Sequence, residues 1–171
     1  MAYRPAMEKI LVSACLLGER VRYDAGDVSC LHPVLRGWAA EGRLVQVCPE
    51  VAGGLAVPRP PAQIRGPGGG AAVLAGSARV VTIDGDDVTS AFVAGAQVAL
   101  EAARRHGARL AILKDRSPSC GSTQIHDGTF AGVRVPGMGT TAAVLRAAGI
   151  AVFADTELDA AAAWLAELER A

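Results

Sequence analysis

Arg109-Leu110-Ala111-Ile112-Leu113-Lys114-Asp115-Arg116-Ser117-Pro118-Ser119-Cys120-Gly121 joins two kinds of structure within one short stretch. Residues 109–113 form a brief apolar run of buried-strand character. Pro118 and Gly121 then stop regular pairing and force a tight loop. In an open α/β sheet such a loop lies at the carboxyl end of its strand, where ligands bind. This one gathers a thiol, two hydroxyls and two cations, the side chains of a reactive site. A buried free cysteine also packs as a small apolar residue, so Cys120 taken alone does not separate the two readings.

The flanking segments alternate in the same way. Upstream, Asp87 or Thr89 opens a helix whose packing face repeats at Val88, Phe92, Ala96, Ala99 and Ala103 and which stops at Gly107. Residues 10–15 are an almost continuous apolar run, the mark of a strand covered on both faces. Residues 32–40 read as a helix with Pro33 in its first turn, and residues 43–48 as a second strand. Residues 78–83 and a turn at 84–86 precede the long helix. Downstream, residues 124–130 form a small turn or hairpin ending near Gly137, residues 140–148 a helix and 150–153 a strand. Asp155 or Thr156 then caps a final helix through Glu169.

Residues 51–77 are the least regular. Their glycine cluster, Gly66 to Gly70, lacks the Lys-Ser or Lys-Thr pair of a phosphate-binding loop and reads as a flexible surface loop without a helix. The alternation predicts an α/β protein: a single-domain, three-layer Rossmann-like fold with a mostly parallel sheet, over residues 7–171, after a flexible extension at residues 1–6.

Composition narrows the function. A chain of 171 residues is enough for one domain burying about 70% of its unfolded surface. Hydrophobic residues make up 51% and aromatics only 4%, so the core is built from small aliphatic side chains. With 17 basic and 17 acidic residues there is no cationic surplus for nucleic acid as a main partner. No apolar run approaches the roughly 18 residues of a membrane span, and no cleavage site follows the amino terminus. The expected location is cytoplasmic, with no membrane partner. Four cysteines in such a compartment bind metal, react, or lie in the core.

Three of them share a setting. Cys15 and Cys48 end strands and Cys120 follows one, whereas Cys30 sits in a polar turn. Strands of a parallel sheet share their carboxyl edge, so three thiols can converge there on a soft metal or an iron–sulfur cluster. No Cys-x-x-Cys pair accompanies them, and spacing alone leaves convergence and separate burial both open.

Ser13-Ala14-Cys15-Leu16-Leu17-Gly18, Val21-Arg22-Tyr23-Asp24, Cys48-Pro49-Glu50-Val51-Ala52-Gly53-Gly54-Leu55 with Pro58-Arg59, Asp87-Val88-Thr89, and Leu113-Lys114 through Gly121 occur in order. Over residues 9–153 they resemble the small bacterial domain-of-unknown-function family that contains the 2-thiouracil desulfidases. The resemblance implies a 4Fe-4S cluster held by Cys15, Cys48 and Cys120, with one iron lacking a protein ligand, and non-redox removal of sulfur from a small thiocarbonyl heterocycle such as 2-thiouracil. It casts Glu50 as proton acceptor from water and later donor, and Ser117, three residues before Cys120, is the second catalytic candidate, hydrogen-bonding the substrate or relaying its proton. Ser119 either contacts substrate or satisfies backbone groups in its turn.

Arg22, Arg59 and Lys114 are either cations for the polar edges of a planar ring or ordinary surface ion pairs. Asp24 and Tyr23 are equally divided. His32 and His126 read as exposed loop histidines. The chain departs from the family in its amino-terminal extension, in Cys30 and in the glycine-rich excursion, and the last of these bears on pocket shape. Two other classes use the same residues: a zinc hydrolase with Glu50 as base, and a non-catalytic sulfur-binding sensor. The expected assembly is a monomer or small homo-oligomer.

Overall fold

In the computed structural model, which describes residues 7–26 and 28–171, strand β1 (Ile10–Ser13) is buried at every position. A 3-10 turn over Ala14–Leu17 follows, then helix α1 (Pro33–Ala40), β2 (Leu44–Val47), the short helix α2 (Pro49–Ala52), β3 (Ala62–Arg65), α3 (Gly69–Ala75) and β4 (Arg79–Thr82). The second half runs α4 (Thr89–Arg105), β5 (Leu110–Leu113), β6 (Gln124–His126), β7 (Arg134–Pro136), α5 (Thr140–Ala147), β8 (Ala151–Ala154) and α6 (Leu158–Arg170). The extension expected at residues 1–6 lies outside the described residues.

Four strands form one parallel sheet in the order β2-β1-β5-β8. Parallel neighbours require crossovers, and the intervening helices supply them on both faces. Side chains alternate along each strand. Ile10, Val12, Leu110 and Ile112 therefore pack with Leu35 and Trp38 of α1 and Leu158, Ala161 and Leu165 of α6. Leu11, Ala111 and Leu113 face Ala99 and Ala103 of α4 and Ala142 and Leu145 of α5. The result is the expected three-layer α/β arrangement. Each fully buried Leu or Ile contributes about 1.5–3 kcal/mol, which is why the strand runs are apolar at every position. Among the described residues no helix is long and apolar enough to cross a membrane.

Several local expectations change. The run at residues 10–15 is not all strand: pairing stops at Ser13, and Cys15 sits in the 3-10 turn. The glycine cluster is not a free loop but the start of α3. A Cβ on Gly70 would come within 2.2 Å of the Gly139 carbonyl oxygen, so the glycines let α3 lie against the segment leading into α5. Neither Asp155 nor Thr156 caps α6. Glu157 occupies that position, its carboxylate accepting from Ala154 N at 2.8 Å, while Asp155 turns to the loop after β5.

Helix α2 escapes periodicity because it is one turn long. It is held against α4 by two glycines: a Cβ on Gly95 would meet the Pro49 carbonyl oxygen at 1.9 Å, and one on Gly53 the Ala91 carbonyl oxygen at 2.0 Å. Cys48 and Glu50 take their positions from this contact. Gly95→Ala therefore pushes α2 outward and lowers stability by roughly 1–3 kcal/mol. The urea midpoint measures it, and an unchanged midpoint would show that α2 is not seated this way.

Candidate metal centre

The register Ser13↔Val47 and Val12↔Ile112 brings the carboxyl ends of β2, β1 and β5 side by side. Cys48 follows β2 directly, Cys15 lies two residues past β1, and Cys120 lies in the loop after β5. All three line a single cavity of about 480 Å³. Cys30 does not line it; it packs against the apolar core between the sheet and α1 and α6.

Burial pushes the Cys15 thiol up to about 11, and the neighbouring Cys48 adds to the shift. The Cys48 thiol is raised chiefly by burial, against a pull downward from the Val51 amide of α2. Cys120 is raised too, by burial first and then by Cys15, Glu50 and Cys48. Burial raises all three thiols, and cysteine neighbours add to this at Cys15 and Cys120, so a strongly positive, soft group is what favours the three thiolates together. The donor set fits an iron–sulfur cluster. Among the described residues no three His, Cys, Asp or Glu side chains close on a point for one ion. Three thiols around one cavity are a donor set that a polynuclear iron–sulfur group takes.

Asp115 builds the loop that carries Cys120. Its Oδ1 accepts from the backbone N–H groups of Arg116 (3.0 Å), Ser122 (3.0 Å), Thr123 (3.1 Å) and Gln124 (3.4 Å), and its Oδ2 from the Thr123 hydroxyl. Burial alone would raise this carboxyl, but these hydrogen bonds outweigh it and hold Asp115 below its usual value. The Asp115 amide in turn donates to Asp155 Oδ1 at 2.9 Å.

Of the two serines, only Ser117 reaches the cavity, and it also satisfies backbone groups in the turn. Ser117 Oγ accepts from the amides of Ser119 and Cys120, both at 3.0 Å, and it faces the cavity. Ser119 is 1% exposed, lies behind the wall and shares a hydrogen bond of 2.9 Å with the Thr141 hydroxyl.

Glu50 lies on α2 at the cavity wall, where burial raises its carboxyl and the Arg59 guanidinium partly offsets this. Each nitrogen of the Arg59 guanidinium donates once: Nε to Glu50 Oε1 at 3.3 Å, Nη1 to the Ala56 carbonyl at 3.0 Å and Nη2 to the Val21 carbonyl at 2.9 Å. Arg59 pairs with Glu50 and also lines the cavity. Lys114 lines the cavity with Nζ 3.8 Å from Asp155 Oδ2. Arg22 lies over the Tyr23 ring at 5.8 Å, and both line the cavity. Asp24 does not: it is exposed, and its carboxylate accepts from Gly26 N at 2.9 Å.

Other wall residues were not legible as such. His126, expected to be exposed, is half-buried on β6 at the cavity wall, and its buried Nδ1 has no hydrogen-bond partner among the described residues. His32 instead caps α1, with Nδ1 accepting from Val34 N at 3.1 Å. Gln63 of β3 holds the loop after β6 by accepting from Gly128 N (3.0 Å) and Phe130 N (3.2 Å). Arg116 and Phe130, both on the wall, have φ of 74° and 59°, a backbone region costly for non-glycine residues and found at functional sites.

Fold and site together define an α/β protein with a three-thiol centre at the carboxyl edge of a parallel sheet. A family model described as 2-thiouracil desulfurase matches residues 10–157, and the chain belongs to that family. It is similar to the uncharacterized protein YbbK of Bacillus subtilis (strain 168), at 43% identity over 150 residues, covering 88% of this chain and 97% of that protein. A solved structure of the 4Fe-4S-dependent thiouracil desulfidase TudS matches with a TM-score of 0.85 and 46% identity, covering 93% of this chain and 98% of that one.

Asp115→Ala leaves four amides without their acceptor and costs about 3 kcal/mol, at about 1 kcal/mol or slightly less for each. Because the folded Asp115 carboxyl is depressed, the wild-type advantage is full at neutral pH and fades as pH falls through its folded value. Denaturation midpoints of wild type and variant across pH measure this. A difference that stays constant into strong acid would rule out the carboxylate as its source.

Proposed function

We propose that this chain is a 4Fe-4S-dependent, non-redox desulfidase that converts a small thiocarbonyl heterocycle such as 2-thiouracil and water into the carbonyl compound and hydrogen sulfide. The single cavity lined by Cys15, Cys48, Cys120 and Glu50 carries the reading. The match to the 2-thiouracil desulfurase family and to TudS supports it. Cys15, Cys48 and Cys120 would hold the cluster, which when bound supplies a soft Lewis acid at its iron without a protein ligand. We further infer that residues 7–171 act as one domain, in the cytoplasm, where thiols stay reduced.

The protein's own groups then have distinct tasks. Glu50 takes a proton from the attacking water and returns it to the departing sulfur, so that no electron is transferred overall. Burial brings the carboxyl toward the range where it both accepts and donates, and Arg59 keeps it ionised and aimed. Ser117 Oγ already accepts two amides, so its O–H is left to donate to an oxygen or nitrogen of the ring. Arg22 and Lys114 add positive charge at the wall for the polar edge of the substrate. Asp24 and Ser119 act at one remove, shaping the loops that carry Arg22 and Cys120. With 17 basic residues balanced by 17 acidic ones, a free heterocycle rather than a nucleic-acid strand is the substrate.

Anaerobically reconstituted protein should release sulfide from 2-thiouracil. Glu50→Gln should keep its iron and lose about a hundredfold or more in kcat. The acid limb of kcat/KM should lie above the ordinary carboxylate range and move to higher pH in Arg59→Met, because the cation that favours ionised Glu50 is gone. Iron loss in Glu50→Gln, or an acid limb that Arg59→Met leaves in place, would contradict these roles.

Iron analysis separates the cysteines. Cys30→Ser should bind as much iron as wild type, and Cys15→Ser much less. Equal losses in both would place Cys30 at the centre.

A further inference from the structure

Phe130 lines the cavity, yet nothing in the reaction above uses it. Of the three phenylalanines, Phe92 and Phe153 pack with the apolar cores and Phe130 belongs to none of them. Among the described residues neither a ring nor a cation stacks on Phe130, whereas Tyr23, also on the wall, carries the Arg22 guanidinium. The backbone of Phe130, with φ of 59°, is costly for a bulky side chain. Packing in a core does not account for an aromatic residue placed in this way.

The loop after β6 holds it there. Gln63 of β3, only 9% exposed, accepts with one amide oxygen from Gly128 N at 3.0 Å and Phe130 N at 3.2 Å. Asp127 Oδ1 accepts from Thr129 N at 2.9 Å and from the Thr129 hydroxyl at 2.6 Å, and the Asp127 amide donates to the Val133 carbonyl at 3.0 Å. Gly128, with φ of 93°, lies so close to β3 that a Cβ would meet the Ile64 carbonyl oxygen at 2.6 Å. A strained residue persists only where its surroundings over-determine it, and ligand clamps are one place where such residues gather.

We propose that Phe130 is a substrate-binding residue whose ring stacks on the face of the planar heterocycle, so that the site prefers a flat ring to a saturated one. Lys114 and Ser117 address the polar edge of such a ring, and Phe130 supplies an apolar surface for its face. Stacking on an aromatic side chain depends little on which polar groups the edge carries. Orientation therefore comes from the polar groups and affinity from Phe130. Because the contact holds the ring and not the bond being broken, it is alike in substrate and transition state and acts on KM rather than kcat. This inference rests on the desulfidase reading above.

The test compares anaerobically reconstituted wild type, Phe130→Tyr, Phe130→Leu and Phe130→Gly by iron content, 2-thiouracil kinetics, and inhibition by uracil and by dihydrouracil, which has lost the flat ring. Phe130→Leu should keep wild-type iron and a kcat within about twofold, raise KM about tenfold, and narrow the preference for uracil over dihydrouracil. Phe130→Tyr, which keeps the ring, should stay near wild type. Phe130→Gly relieves the strained backbone, so its urea midpoint should not fall while its KM rises at least as far. Its KM decides the matter should Phe130→Leu not fold. An unchanged KM in Phe130→Leu, an equal rise in Phe130→Tyr, a lower midpoint with unchanged KM in Phe130→Gly, or no preference for uracil in the wild type overturns the inference, while sulfide release by the wild type upholds the desulfidase reading. A wild type that releases no sulfide from 2-thiouracil overturns both.

Discussion

Parallel hydrogen bonding of β1 to β2 on one side and to β5 on the other is the constraint on which the site depends. It sets three chain segments, far apart in sequence, to end at one edge and to hand their next few residues to one cavity. Parallel strands cannot be joined by tight turns, so the crossovers that permit this edge also supply the helices that cover both faces. The core and the site are consequences of one pairing pattern. Loss of register would expose apolar side chains and separate the thiols together.

The edge is then made rigid by polar groups that have no share in substrate. Asp115 folds the Cys120 loop around a cluster of amides, Asp155 secures Asp115, and Ser13 ties the end of β1 to Lys114. On the opposite wall, Arg59 spans Glu50 and the Val21 carbonyl. Such satisfied networks are costly to break and hold functional side chains more closely than loop backbone alone can. Of the three non-glycine residues with positive φ among the described residues, Arg116 and Phe130 fall on the cavity wall and Ala25 does not.

The thiols explain why the site needs a cofactor. Burial disfavours each thiolate, and nearby cysteines add to this at Cys15 and Cys120, as Glu50 does at Cys48. A positive, sulfur-seeking group reverses both effects at once. The same desolvation that raises the thiols raises Glu50, so the conditions that hold a cluster also prepare a carboxylate for proton transfer.

Periodicity along the chain was sufficient for the long elements. The spacing of Phe92, Ala96, Ala99 and Ala103 marks α4 because a buried helix face repeats every three or four residues, and the apolar runs at β1 and β5 mark strands covered on both sides. Cys15, Cys48 and Cys120 were legible as a set because strand ends in a parallel sheet share an edge; their single cavity needed the register. The glycine cluster was misread, since nothing in a glycine run says whether it lies free or packs closely, and Gly139 decides that for Gly70. The half-buried place of His126 on the wall and the pairing of Arg59 with Glu50 were likewise settled only by tertiary structure. Burial and hydrogen-bond partners depend on what the fold brings alongside a residue, and its own neighbours in sequence do not encode that.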